Sequence, residues 1–321
     1  MTKHSIAALC ALSLAGFGFA PTSHAEDSLV PTNQTAPLSL TTPSSLTADD
    51  GKDVKESKEL KQQVKESCIT GDLGVTFVTE YLTRGLLEEN QGVIAQPYLD
   101  LYFKLYEGTG FINKVVFNFS LWSSIHSHVE PFSVTSSTRN WFEFDWTPGV
   151  AITFAKNFTA TFSYFEFDSP SDSFSTARSI NLNLAYDDTD LLGKFALHPH
   201  VAVLAELNAP GSAGINGHGW YFEGGIAPGY TLGPVTFTLP VTVGLGDHRF
   251  YDGDTFGYVS VGGQLSIPIS FIPDCYGKWT LSGGYTYYYL GDKLSAFNGS
   301  ATGNNAEKSQ HVFQGAIGLT F

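Results

Sequence analysis

The last eleven residues, "HVFQGAIGLTF" (His311–Phe321), decide how the rest of the chain is read. In an extended strand successive side chains point to opposite faces, so Phe313, Gly315, Ile317, Leu319 and Phe321 share one side and Gln314, Ala316, Gly318 and Thr320 the other. One side is apolar and finishes on an aromatic ring. Terminal residues fray unless something ties them down, so the pattern predicts a strand received by a neighbouring strand and by an apolar medium.

The same period of two recurs upstream. "GDLGVTFVTEYL" places Leu73, Val75, Phe77 and Tyr81 on one face and Thr76 and Glu80 on the other. "AQPYLDLYFKLY" opposes Leu99, Leu101, Phe103 and Leu105 to Tyr98, Asp100, Tyr102 and Lys104, and "KVVFNFSLWSSI" opposes Val115, Phe117, Phe119 and Leu121 to Asn118, Ser120 and Trp122. "NWFEFDW" sets Phe142, Phe144 and Trp146 against Glu143 and Asp145. Further segments follow near 158–167, 180–186, 194–207, 220–230, 235–245, 256–269, 279–290 and 310–321, which makes twelve.

Composition agrees with an all-β chain: 33 Gly, 25 Phe, 15 Tyr and 5 Trp stand beside a single Met, with 15% charged residues. Residues 1–25 have the basic start, apolar run and small-residue site of a cleaved signal peptide. Beyond them no run of about 18 apolar residues offers a membrane-spanning helix. Residues 26–51 are a Ser/Thr/Pro linker predicted to be disordered, and 52–67 predict a short helix, either solvated or entering the barrel as a plug. Residues 70–321 form one domain.

Twelve alternating segments of about ten residues are the signature of a transmembrane antiparallel up-and-down β-barrel. A soluble sandwich would leave many outward apolar side chains with no second layer over them. Connections after even-numbered segments are mostly short ("AKN", "TLGP"), and those after odd ones are longer and more polar, which puts short turns and both termini in the periplasm. Phe313, Ile317, Leu319 and Phe321 resemble the C-terminal signal that the assembly machinery of bacterial outer-membrane barrels recognises. "FVTEYLTRGLLEENQGVIAQPYLDLYF" also resembles the opening hairpin of a family of uncharacterised outer-membrane proteins with a Tyr-x-x-Arg-Gly element, here Tyr81, Arg84 and Gly85. The resemblance implies a barrel in the outer membrane, and Arg84-Gly85 reads most simply as a turn at its outer rim.

Function is then a matter of the lumen. The inward set holds Glu80, Asp100, Glu143, Asp145, Glu206 and Glu223 against Lys104, Arg139 and Lys194, an acidic excess that favours cations or neutral polar solutes. The expectation is a small passive or weakly selective channel. Inward Tyr98, Tyr102, Trp122, Trp141, Tyr221 and Tyr288 also admit a lumen blocked by its own side chains, hence a structural or surface-interaction barrel. Catalysis is not expected, because "HSH" (126–128) and "HPH" (198–200) lack the His-x-Ser strand spacing of a barrel hydrolase. His198 and His200 share a face, but two ligands without a third do not make a metal site. No cofactor is called for. With 31 Asp+Glu to 17 Lys+Arg, nucleic acid is excluded as a partner, leaving membrane lipids, the assembly machinery and small solutes.

Two cysteines remain outside the signal segment. Cys68 precedes the first strand and Cys275 lies in the turn "FIPDCYGK", both at the periplasmic rim. They either form a disulfide beneath the closure seam or stay as two free thiols.

Overall fold

The computed structural model describes residues 68–128, 139–208, 214–302 and 306–321. The expected signal peptide (1–25), disordered linker (26–51) and short helix (52–67) lie outside the described residues. The described chain is a closed twelve-strand antiparallel β-barrel. Its wall runs through β1 (Ile69–Val78), β4 (Ile94–Glu107), β5 (Ile112–His126), β6 (Trp141–Phe154), β7 (Phe158–Asp168), β8 (Ala177–Tyr186) and β9 (His200–Glu206). It continues through β10 (Trp220–Ile226) with β11 (Gly229–Leu232), then β12 (Val235–Thr238) with β13 (Val241–Gly246), and β14 (Phe256–Pro268), β15 (Lys278–Leu290) and β16 (Ser309–Thr320). Pro228 and Pro240 each interrupt one long strand, since proline has no N–H for the ladder.

Closure is made by the terminal strand. β16 pairs with β15 on one side and β1 on the other, with Leu73 opposite Leu319 and Val75 opposite Ile317. Phe321 exchanges two backbone bonds of 2.9 Å with Gly71. The terminal strands are thus paired on both sides and close the ring, while the short β11 is paired with β12 alone.

Alternation gives two different surfaces. Outward positions carry apolar side chains left bare, among them Phe77, Phe162, Leu182, Leu265, Leu281 and Phe313. At the turn end four outward rings run across adjacent strands: Phe111 against Phe154 at 5.7 Å, Phe154 against Phe158 at 5.7 Å and Phe158 against Tyr186 at 4.6 Å. Inward positions are buried, and most are polar or aromatic.

Three local features depart from a plain meander. β2 (Tyr81–Thr83) and β3 (Leu86–Glu89) form a separate hairpin after β1. The β8–β9 connection, expected as a short turn, spans residues 187–199 and holds α1 (Thr189–Leu192) and a turn of 3-10 helix at Gly193–Phe195, which is why β9 starts at His200 and not at Lys194. The β15–β16 connection contains α2 (Asp292–Thr302).

The cysteines are both exposed, free thiols. Cys68 is held on the β4 side of β1, where its carbonyl accepts the Lys104 N–H at 2.9 Å, whereas Cys275 precedes β15. β16 stands between β1 and β15. Two strand spacings are about 10 Å, beyond the ~7 Å a disulfide bridges.

Candidate functional site

The centre of interest is the loop-end half of the lumen, because a segment of chain fills it. Leu82 pairs with Leu87 and Thr83 with Leu86, so Arg84 and Gly85 are the two residues of a tight hairpin turn. Both have positive φ, 48° and 82°, the geometry of the turn that matches strand twist. The turn is not at the outer rim. Tyr81, Thr83, Arg84, Gly85, Leu86, Leu87 and Glu89 are all buried, and the hairpin stands inside the barrel.

It is tied to walls on opposite sides. The Tyr81 hydroxyl donates to Glu143 Oε2 at 2.8 Å, and its ring packs on Trp122 at 5.5 Å and Phe142 at 6.4 Å, which fixes it to β5 and β6. On the other side, the Tyr251 hydroxyl donates to the Arg84 carbonyl at 2.8 Å, and Asn298 Nδ2 of α2 donates to the Gly85 carbonyl at 2.9 Å. Asn298 Oδ1 accepts the Leu87 N–H at 3.2 Å. The Arg84 guanidinium lies over the Tyr221 ring, 5.6 Å from its centroid. Leu290 and Leu294, both fully buried, close in on Gly85, where a Cβ would lie 2.6 Å from Leu294 Cδ2. No side chain fits there.

Glu223 organises a second knot beside the first. Tyr221 donates to Glu223 Oε2, Tyr258 reaches the same oxygen at 3.2 Å, and the two tyrosine hydroxyls are 2.8 Å apart. His200 Nε2 lies 3.3 Å from Glu223 Oε1. Glu206 accepts the N–H groups of Gly214 at 2.7 Å and Gly219 at 2.5 Å, which fastens the β9–β10 loop. Such charge-assisted bonds to backbone are among the stronger kind.

A third cluster lies under the hairpin. Ser124 Oγ is 2.8 Å from His126 Nε2, His126 Nδ1 is 3.8 Å from Glu89 Oε2, and His128 Nδ1 is 3.2 Å from the same oxygen. The order hydroxyl, imidazole, carboxylate is that of a hydrolase. The second distance is too long for a hydrogen bond, however, the His126 ring is stacked on Phe142 at 4.6 Å, and Ser124 is 0% exposed. Glu89 Oε1 meanwhile accepts the N–H groups of Asn90 and Gln91. What the cluster does as it stands is pin the foot of the hairpin to β5. Ser-x-His spacing with a distant Glu was available in the sequence, but Glu89 is brought in only by the inward fold of the hairpin.

Of the residues singled out from sequence, Asp100, Lys104, Trp122, Glu143, Asp145, Glu206 and Glu223 point into the barrel, as do Tyr98, Tyr102, Tyr221 and Tyr288. They do not form a free acidic ring. Glu143, Glu206 and Glu223 are bound as above, and Lys104 pairs with Glu107 at 2.9 Å. Others stand elsewhere. Arg139 is exposed in the loop before β6, and Lys194 is exposed in the β8–β9 connection, over the Phe195 ring. Glu80 is half-buried between β1 and β2; burial pushes its pKa up against the pull of His311, an outward residue of β16. Trp141 and Phe142 exchange faces: Ser124 pairs with Glu143 and Ile125 with Trp141, so Phe142 is the extra residue of a β-bulge. Trp141 points outward, and Phe142 joins the interior cluster. His198 and His200 are not brought together, since His200 faces Glu223 and His198 lies in the connection before β9.

No protein-family model matches the sequence, and no curated protein matches it. Among solved structures, the NanC porin superposes with a TM-score of 0.42 at 14% identity, over 77% of this chain and 98% of that one. The outer membrane phospholipase A from Escherichia coli gives 0.41 at 12% identity, over 78% and 92%. The translocator domain of the autotransporter NalP from Neisseria meningitidis gives 0.40 at 11%, over 81% and 90%. A porin, a phospholipase and a translocator differ in activity, and none passes its own to this chain at such distance.

Proposed function

We propose that this protein spans the bacterial outer membrane with its twelve strands and that its resting lumen is sealed by the β2–β3 hairpin. Bare outward apolar side chains on all sides, bordered by rings at the turn end, suit a lipid environment and would be an aggregation liability in water. Membrane lipids are then the main partner, and the outward Phe313, Ile317, Leu319 and Phe321 of the closing strand are what the assembly machinery would recognise.

The observation that carries the sealed reading is that the hairpin is bonded to β6 through Tyr81 and to the opposite side through Tyr251 and Asn298. A structural or surface-interaction barrel follows from it. Ser124, His126 and Glu89 belong to the seal and are not a catalytic centre. A second reading has its own support: Asp72, Asp100, Glu143, Asp145, Glu206 and Glu223 all face inward, so a barrel from which the hairpin withdraws would pass cations before anions.

Planar-bilayer recording separates them. Wild-type protein, shown to be folded by heat-modifiable migration, should be silent. Replacement of residues 80–91 by a short Gly-Ser link should give steady, cation-preferring conductance. Steady conductance of the wild type would overturn the seal. Silence of a folded, hairpin-deleted variant would remove the channel and leave the structural barrel.

A further inference from the structure

The β8–β9 connection brings together three side chains of a kind that bind metal. His198 Nδ1 lies 3.5 Å from Asp188 Oδ1 and 3.7 Å from Asp187 Oδ1, and one donor atom from each residue falls within 4.8 Å of the other two. His198 is 6% exposed, and its Nδ1 has no hydrogen-bond partner. Burial lowers the pKa of the imidazole, while the neighbouring Asp188 and Asp187 pull the other way. His198 Nδ1 thus stands before two carboxylates without a hydrogen-bond partner of its own, an arrangement that a cation between them would satisfy.

The separations fit such an ion. Ligand atoms about 2.0–2.2 Å from a tetrahedral zinc stand roughly 3.3–3.6 Å apart, which is close to the spacing of His198 Nδ1 from both aspartates. Asp188 is held in place beforehand: its carboxylate accepts the Leu197 N–H at 2.9 Å and the His198 N–H at 2.9 Å. Asp187 accepts the Thr189 N–H at 2.9 Å, and its side chain is 49% exposed, so the third ligand stands on the open side where an ion enters and keeps water.

We propose that Asp187, Asp188 and His198 bind one divalent transition cation of the zinc type at the turn-end rim of the barrel. One imidazole nitrogen with two carboxylate oxygens suits zinc better than calcium, which takes six to eight oxygens. The ion joins the end of β8 to the residue that leads into β9 and so fixes the returning end of an excursion otherwise held by backbone bonds.

Zinc chloride titrated into the detergent-solubilised, tag-free chain, followed by isothermal calorimetry, tests this. The chain should carry C68S and C275S, because both native thiols are exposed and would compete. One equivalent should bind. His198→Ala should weaken binding at least about tenfold, the loss of a direct ligand costing no less than that of a supporting residue. Asp187→Asn, at a half-exposed position that leaves the fold alone, should weaken it too, and His218→Ala, on an exposed loop, should leave it unchanged. X-ray absorption of the zinc form should show nitrogen and oxygen neighbours at about 2.0–2.1 Å. No saturable binding, or wild-type binding by both H198A and D187N, would overturn the site. Calcium displacing zinc at equal concentration would overturn the cation class.

Discussion

At the loop end, the space between β5 and β15 is filled by Tyr81, Trp122, Phe142, Tyr221, Tyr258 and Leu290, with a buried arginine and carboxylates threaded among them. At the turn end, the same alternation delivers Asp72, Asn183, Gln264, Ser266, Thr280 and Thr320. Among the described residues, only Val116, Ala151 and Tyr102 make an apolar contact group away from the larger cluster. The wall is identical in kind, and the contents are not. Sealing in this barrel is the property of an inserted segment and its aromatic sockets, whereas the turn-end interior consists of short polar side chains belonging to the strands themselves.

Glycine substitution should split the two kinds of construction most widely. Gly85→Val places a β-branched residue at φ 82° and a Cβ 2.6 Å from Leu294. Strain and overpacking together should cost on the order of 3 kcal/mol. Gly315, in the β16 wall, has open space within 4 Å of where a Cβ would lie and no left-handed φ, so Gly315→Ala should stay within about 0.5 kcal/mol of wild type. Urea unfolding in detergent, read by heat-modifiable migration, compares them. Equal losses would mean that the hairpin is not seated as described.

Matched hydroxyls sharpen the contrast. Tyr81 donates to Glu143 at 2.8 Å at the loop end, and Thr320 donates to Asp72 at 2.6 Å at the turn end. Tyr81→Phe and Thr320→Val should each cost about 2 kcal/mol, the usual range for a buried bond to a charged acceptor. Their consequences should differ. Y81F frees one side of the hairpin and should give intermittent conductance, whereas T320V should remain silent. Conductance from T320V alone would place the barrier at the wrong end.

The wall was legible in the sequence because an apolar outer face and an enclosed inner face impose a period of two on its strands, from Leu73-Val75-Phe77 to Ile317-Leu319-Phe321. The seal was not. "YLTRGLLEE" has the turn chemistry of a rim hairpin, and nothing within it says that its partners are Glu143, Tyr251 and Asn298, which lie 62, 167 and 213 residues away in the three bonds concerned. A bulge hides as well: one extra residue reverses Trp141 and Phe142 without changing the local alternation. His198 and His200 read from the sequence as two ligands without a third; the helical turns of the connection bring Asp187 and Asp188 to His198 instead.

Acid should affect the two ends by the same chemistry with separable results, and this is the smallest effect expected. Asp247 leads the loop between β13 and β14, where it accepts the N–H groups of Arg249 and Phe250, each at 3.0 Å. Asp188 does the corresponding work in the β8–β9 connection through Leu197 and His198. Burial opposes ionisation of both, but the backbone donors outweigh it, and both pKa values lie below the ordinary 3.8. A carboxyl with a depressed folded pKa contributes stability that is present above its unfolded value and lost as pH falls through the folded one. The window therefore lies below about pH 4. The Asp247 loop carries the fully buried Phe250 and Tyr251, and Tyr251 is bonded to the hairpin through the Arg84 carbonyl, so its loosening should reach the seal. Hydrogen exchange at a series of pH values should show protection of residues 80–90 falling together with that of 247–255 below pH 4, and Asp247→Asn should flatten this dependence. Asp188→Asn should flatten only the response of 187–199. If D188N altered protection of the hairpin and D247N did not, the seal would depend on the turn end, and the division of the interior into two separately held halves would fail.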